Sequence, residues 1–176
     1  MKTNENEVVY KILLLGDTNV GKTGFLSYYL NGYFPSNFLQ TIGINSYSKY
    51  IQMDDGKKVK LNLYDTAGSR RFLPLTFTHY NNSDAIILIY DITKKTSFDI
   101  LYDLIGYIKK NFPKKNPLFL VGNKKDDEEH RVLTKEQGEK FAQKYGLMFT
   151  ECSAKTGENI DFIFNQILFY LTYLNF

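Results

Sequence analysis

Three stretches of this chain are almost continuously apolar: VVYKILLLG at 8–16, DAIILIYD at 84–91 and PLFLVGN at 117–123. Runs of this kind, with no polar face, are expected of parallel strands covered on both sides. Parallel strands need crossover connections, and helical patterns lie between and after them. These are GKTGFLSYYLNG, SFDILYDLIGYIKKNF with Ser97 placed to cap its start, and TKEQGEKFAQKYG, where Thr134 and Gln137 have capping-box spacing. NSYSKYIQM and KKVKLNLY alternate with period two around DDG and predict a β-hairpin. The expected fold is α/β, a doubly wound sheet of about six strands, mostly parallel with one antiparallel edge hairpin strand, and helices on both faces. In such a sheet, ligand chemistry falls at the carboxyl ends of the strands.

A chain of 176 residues suits one domain, 1–176, with MKTNENE at 1–7 as a polar extension, and 43% hydrophobic residues supply enough material for its core. The net charge of +3 is spread over lysine pairs at 57/58, 94/95, 109/110, 114/115 and 124/125, and the arginines are Arg70, Arg71 and Arg131. No concentrated basic stripe points to nucleic acid. The single cysteine, Cys152, allows no internal disulfide, reads as a core residue and fits a reducing, intracellular compartment. The N-terminus lacks the apolar stretch of a signal peptide, and IDFIFNQILFYLTYL, broken by Asn165 and Gln166, is too short to span a bilayer. His79 and His130 have no metal-ligand partners at useful spacing.

The first apolar run leads straight into GDTNVGKT, Gly16 to Thr23, which satisfies G-x-x-x-x-G-K-[ST] between a strand and a helix. Glycines there let successive backbone amides point inward at phosphate oxygens, and the helix N-terminus adds partial positive charge. The expected cradle comprises Thr18, Asn19, Val20, Gly21, Lys22, Thr23 and Gly24. Lys22 reaches the β and γ phosphates, and Thr23 offers its hydroxyl to Mg²⁺. Such a loop does not choose between ATP and GTP, or between a hydrolase and a kinase. NKKD, Asn123 to Asp126, follows the third apolar run, and its final carboxylate can accept the N1 and N2 protons of guanine, a donor pair that adenine lacks. SAK, Ser153 to Lys155, follows LMFTEC; the Ala154 amide could donate to guanine O6 and the Lys155 stem could lie on the base. Asn123, Lys124, Asp126, Ser153, Ala154 and Lys155 are therefore the candidate base-binding residues.

Taken in order, GDTNVGKT, TIG at 41–43, DTAG at 65–68, NKKD and SAK resemble a small GTPase of the Ras superfamily over nearly the whole chain. KKVKLNLYDTAG, RFLPLTFTHY and YDITKKTSF are most similar to the Rab branch. The resemblance implies a P-loop fold, Mg²⁺-dependent binding of GTP and GDP, GTP hydrolysis, and a switch in vesicle and membrane traffic. It further implies that Thr41 adds a second metal hydroxyl and an amide near the γ-phosphate. Asp65 would hold the metal through water, the Gly68 amide would touch the γ-phosphate, and Phe34 would stack on guanine. Lys22, Thr41, Gly68 and the following Ser69 are the candidate catalytic residues. Losing the γ-phosphate would free Thr41 and Gly68 together and loosen two switch loops, through which an exchange factor, a GTPase-activating protein and effectors would bind.

The chain also departs from the family. Most small GTPases follow DTAG with a glutamine that orients the attacking water, whereas Ser69 has too short a side chain to reach the same position. Intrinsic hydrolysis is therefore expected to be slow. The alternative is a guanine-nucleotide-binding module with negligible hydrolysis, working as a long-lived GTP-bound scaffold; an ATPase or kinase is opposed by NKKD and SAK. Rab-branch activating proteins supply both an arginine and a glutamine in trans, so the missing glutamine need not disable the switch. Thr18 faces the γ-phosphate position, Arg70 replaces an acidic residue and Arg71 matches an ordinary family arginine. The aromatic triad that Rab-like proteins present to effectors corresponds to Ser46, Tyr64 and His79, and Asn45 replaces the customary Asp.

In the last helix, Ile160, Ile163, Phe164, Ile167, Leu171 and Leu174 share one face at 100° per residue. Phe162, Phe169 and Tyr173 form a second stripe, either the margin of a broad buried face or an exposed patch for a partner or a homodimer. The chain stops at the end of this helix with no hypervariable tail and no cysteine for prenylation. Membrane attachment is expected only through a lipidated tail absent here, on the cytosolic face of an endomembrane; otherwise the location is cytoplasmic.

Overall fold

The computed structural model describes residues 8–37, 39–69, 78–79, 82–111 and 116–174. Its framework is a six-stranded sheet of order β2-β3-β1-β4-β5-β6. The strands are β1 (Val8–Leu15), β2 (Ile44–Gln52), β3 (Lys58–Thr66), β4 (Ala85–Asp91), β5 (Leu118–Asn123) and β6 (Met148–Glu151). β1 runs parallel to both β3 and β4, β4 to β5 and β5 to β6, while β2 is antiparallel to β3. The three unalternated apolar runs are thus β1, β4 and β5, and every side chain of β4 is buried. β2 and β6 are the edges; β2 is largely exposed, and its Asn45, Ser46, Ser48 and Lys49 discourage pairing with other chains.

Residue parity divides the core into two layers, because successive strand side chains point to opposite faces. Ile12 and Leu14 of β1 join Ile87 and Ile89 of β4 on one face, covered by α1 (Lys22–Asn31) and α4 (Ile160–Phe169). There Tyr29 of α1 stacks on Phe164 of α4 with ring centroids 3.5 Å apart. Leu13, Leu15, Ile86 and Leu88 face the other way, against α2 (Lys95–Asn111) and α3 (Lys135–Tyr145). Each fully buried Leu or Ile contributes about 1.5–3 kcal/mol, so the two layers hold β1 from both sides.

The capping box of α3 is complete: the Gln137 amide donates to Thr134 Oγ1 at 3.3 Å, and the Thr134 amide donates to Gln137 Oε1 at 2.7 Å. Ser97 does not cap α2, which begins two residues earlier. The turn after β4 is closed instead by Asp91, whose Oδ1 accepts from the Thr93 amide and hydroxyl at 2.8 and 2.7 Å. Ser97 reaches back from the first helical turn, accepting from the Asp91 amide at 3.0 Å and donating to the Lys94 carbonyl at 2.7 Å.

The apolar face of α4 is buried from Ile160 to Leu171, but Leu174 is 58% exposed. Beyond Phe169 the chain winds as a π-helical turn, Tyr170–Leu174. Its i→i+5 bonding widens the turn and rotates Leu174 off the face that a 100° repeat assigns to it. Among the described residues, no helix is long and apolar enough to cross a membrane.

Candidate nucleotide-binding site

The carboxyl ends of β1 and β3 open onto a cleft of about 440 Å³. Thr18, Asn19, Gly21, Lys22, Thr23 and Gly24 form one wall. Gly16 fixes the loop against β4: a Cβ there would lie 2.1 Å from the Ile89 carbonyl oxygen, so only glycine fits. Val20 points into the core and gives the site only its backbone, its carbonyl accepting from Asn123 Nδ2 at 2.8 Å. The Lys22 ammonium is buried and donates to the carbonyls of Gly16 and Asp17 at 2.9 and 2.7 Å. Burial lowers its pKa to about 8, against the pull of the Asp65 and Asp17 carboxylates. A cation this poorly solvated has much to gain from phosphate oxygens.

Asp65 is the penultimate residue of β3 and is fully buried. Its Oδ2 accepts from Thr23 Oγ1 at 2.7 Å and Thr41 Oγ1 at 3.2 Å, and the two hydroxyls lie 3.0 Å apart. Its Oδ1 has no hydrogen-bond partner. Burial raises the carboxyl pKa, opposed by the Thr23 hydroxyl and by Lys22. An orphaned buried carboxylate oxygen beside two hydroxyls fits a hard cation, and Mg²⁺ commonly takes few protein oxygens while keeping waters and phosphate oxygens. Among the described residues, no group of three or more His, Cys, Asp or Glu is arranged to hold a metal.

The opposite wall carries Thr41, Gly68 and the exposed ring of Phe34. Gly68 packs directly on the phosphate loop: a Cβ there would lie 2.2 Å from the Asp17 carbonyl carbon and 2.3 Å from Thr18 N. The Ala67 amide donates to the Gly43 carbonyl at 2.8 Å, which joins the TIG and DTAG segments. Ser69 is half-buried and does not line the cleft. Arg70 and Arg71 lie outside the described residues. Ser46 stands opposite Tyr64 in the β2/β3 register, and the Tyr64 and His79 rings are 5.4 Å apart. The three positions expected to correspond to the effector triad are therefore neighbours, and they carry a hydroxyl, a phenol and an imidazole.

At the base end, Asn123 is buried at the tip of β5 and turned inward. Besides its bond to Val20, its Oδ1 accepts from the Ala154 amide at 2.9 Å, so one side chain ties three loops together. The Ala154 amide expected to face guanine O6 is thus engaged by Asn123. Lys124 lines the cleft and its ammonium lies 2.5 Å from Asp91 Oδ2. Asp126 accepts from the Ser153 hydroxyl at 2.5 Å and lies 3.9 Å from the exposed Lys155 ammonium. Cys152 is buried between these loops, and burial pushes its thiol pKa up, away from any nucleophilic role.

Sequence reasoning missed two supports of this end. Arg131 grips the buried Glu151 carboxylate through Nη1–Oε1 at 2.7 Å and Nη2–Oε2 at 2.9 Å, and also bonds Glu128. It thereby fixes the end of β6, from which Ser153 departs. The only hint was an arginine in a lysine-rich chain, since the planar fork suits bidentate pairing. The second is Tyr28 of α1, whose ring lies against Gly157.

The Ras family model matches residues 11–172. Ras-related protein Rab-26 of Rattus norvegicus is 42% identical over 162 residues, 92% of this chain and 63% of the rat protein. Ras-related protein Rab-37 of Homo sapiens is 42% identical over 164 residues, covering 93% of this chain and 73% of its own length. Ras-related protein SEC4 of Candida albicans is 38% identical over 161 residues, covering 92% of this chain and 76% of its own. The chain therefore spans less than two thirds of the rat protein. The family match extends from β1, before the phosphate loop, into the turn after the last helix: the chain belongs to the Ras family and is a Rab-like small GTPase.

Proposed function

We propose that this chain is a guanine-nucleotide switch of vesicle traffic: it binds GTP and GDP with Mg²⁺ and hydrolyses GTP slowly. The observation that carries this reading is the meeting of the Thr23 and Thr41 hydroxyls on Asp65 Oδ2, with the other oxygen of that buried carboxylate, Oδ1, unpartnered, beside Lys22 and Gly68. In this reading, amides from Thr18 to Gly24 cradle phosphate oxygens while Lys22 exchanges its two carbonyl partners for the β and γ phosphates. Mg²⁺, when bound, would neutralise phosphate charge; the Thr23 and Thr41 hydroxyls, and Asp65 by way of water, are the groups that would hold it. Asp126 accepts the N1 and N2 protons of guanine, with Phe34 and the Lys155 stem against the base. Ala154 reaches O6 only by releasing Asn123. Because the Ala67 amide joins the Thr41 and Gly68 segments, losing the γ-phosphate loosens both, and exchange factor, activating protein and effectors read that change.

Ser69 carries a hydroxyl on one carbon and lies off the cleft, so water is poorly oriented and the intrinsic rate is low. Single-turnover hydrolysis with Mg²⁺ should be slow in the wild type and faster in Ser69→Gln; no acceleration overturns this role for position 69. Guanine nucleotide released on denaturing the purified protein, in preference to adenine nucleotide, tests the base assignment.

The exposed stripe on α4 is the proposed docking face for a partner or a second copy. Phe162 and Phe169 are 51% and 55% exposed and, with Leu174, flank an apolar groove of about 390 Å³. Tyr173 lies beside Phe169, with ring centroids 5.4 Å apart, and donates its hydroxyl to Asp55 Oδ2 at 2.9 Å. Light scattering of wild type against Phe169→Glu checks self-association. Membrane attachment, on an endomembrane's cytosolic face, would come through a lipidated segment beyond Phe176.

A further inference from the structure

We propose that Tyr28 is a positioning residue for guanine recognition: its ring holds the 153–157 loop in the shape that aims Asp126, and so sets how long and how selectively nucleotide stays bound. This rests on the guanine-nucleotide reading above.

The loop is a tight turn stitched to itself. The Gly157 amide donates to the Ser153 carbonyl at 2.8 Å, the Ser153 amide to the Glu158 carbonyl at 3.1 Å, and the Thr156 amide to Ser153 Oγ at 3.0 Å. Ser153 Oγ in turn donates to Asp126 Oδ1, the carboxylate that is to read the base. The closing residue, Gly157, has φ +84°, a conformation that L side chains rarely adopt. Tyr28 occupies the space its missing side chain would take: a Cβ on Gly157 would lie 2.0 Å from the Tyr28 Cζ and 2.2 Å from Cε1 and Oη. Contacts therefore run from Tyr28 to Gly157, through the turn to Ser153, and on to Asp126.

The ring's mounting gives this contact its leverage. Tyr28 is half-buried and packs against the core layer under α1, so the helix limits its movement. That helix begins with Lys22 and Thr23, so one rigid element carries the phosphate-binding groups at its start and the brace for the base-reading loop two turns later. An aromatic ring suits such a brace, being a large contact surface with few rotatable bonds. Without it the turn loses its backing, Ser153 is free to leave Asp126, and the carboxylate is no longer held for two guanine protons.

The test compares dissociation of GDP and inosine diphosphate, which lacks the 2-amino group, from wild type, Tyr28→Phe and Tyr28→Ala. Tyr28→Ala should release GDP about tenfold faster, or 1.4 kcal/mol, and should lose part of the preference for GDP over inosine diphosphate. Tyr28→Phe, which keeps the ring, should behave as wild type. Equal acceleration for both nucleotides, unchanged release with only a lower urea midpoint, or Tyr28→Phe as fast as Tyr28→Ala, each overturns the proposal. If Tyr28→Ala does not fold, Tyr28→Leu takes its place with the same expectation. Wild type that holds ADP as well as GDP overturns the guanine reading itself, a result distinct from any variant's failure.

Discussion

The two ends of the cleft are built from different materials. At the phosphate end, backbone meets backbone so closely that neither Gly16 nor Gly68 leaves room for a Cβ. At the base end, side chains meet side chains: Asn123 spans three loops, Arg131 grips Glu151, and Ser153 holds Asp126. A backbone cradle offers the same amides whatever the surrounding surface carries, which suits a ligand common to many proteins. A side-chain scaffold has more independent parts that can be altered one at a time, which suits the choice of a base.

Substitutions should reveal that difference. Gly16→Ala drives a methyl into the Ile89 carbonyl and should cost roughly 3 kcal/mol or more, measured as a fall in urea midpoint with nucleotide binding lost. The next test is pH. Lys22 has a folded pKa of about 8 against an ordinary 10.5, so the nucleotide-free fold binds fewer protons than the unfolded chain between those values. Its stability should therefore rise across pH 8 to 10.5, by an amount approaching about 3 kcal/mol, and Lys22→Met should remove that rise. Bound phosphate should reverse the shift, so binding near pH 9 should take up protons.

At the base end, Arg131→Ala strands the Glu151 carboxylate and should cost roughly 2 kcal/mol with faster nucleotide release. Adding Glu151→Gln should recover part of the loss, and failure to do so would mean that the ion pair is not what fixes the loop. The smallest effect belongs to a helix cap that does not line the cleft. Thr134→Ala breaks a complete capping box for about 1 kcal/mol and should leave nucleotide release unchanged.

Legibility in the sequence follows the same division. The apolar runs, the β2/β3 hairpin and the Thr134 box rest on short-range patterns, and each appears where those patterns place it. The phosphate loop and the DTAG segment are readable because close backbone approach leaves glycine as the residue that fits. Tyr28 against Gly157 and Arg131 against Glu151 join elements distant along the chain, and apart from the choice of arginine at 131 nothing in the local sequence marks the members of either pair. Ser97 and Leu174 were misplaced by phase: one strand-end turn closed by Asp91 started α2 early, and one π turn rotated the end of the last helix.

The bond between Asn123 and Val20 also has a consequence in time. Its partners are 103 residues apart, so the phosphate loop is synthesised long before the side chain that braces it. At roughly 5–20 residues per second, the loop waits on the order of 5–20 s on the ribosome for Asn123 to be added, and longer for the residue to clear the exit tunnel. The Ala154 amide that engages the same side chain is another 31 residues behind. A nascent chain can therefore display the complete GDTNVGKT motif well before it holds the brace of a nucleotide pocket, and competence to bind should appear late and abruptly during translation.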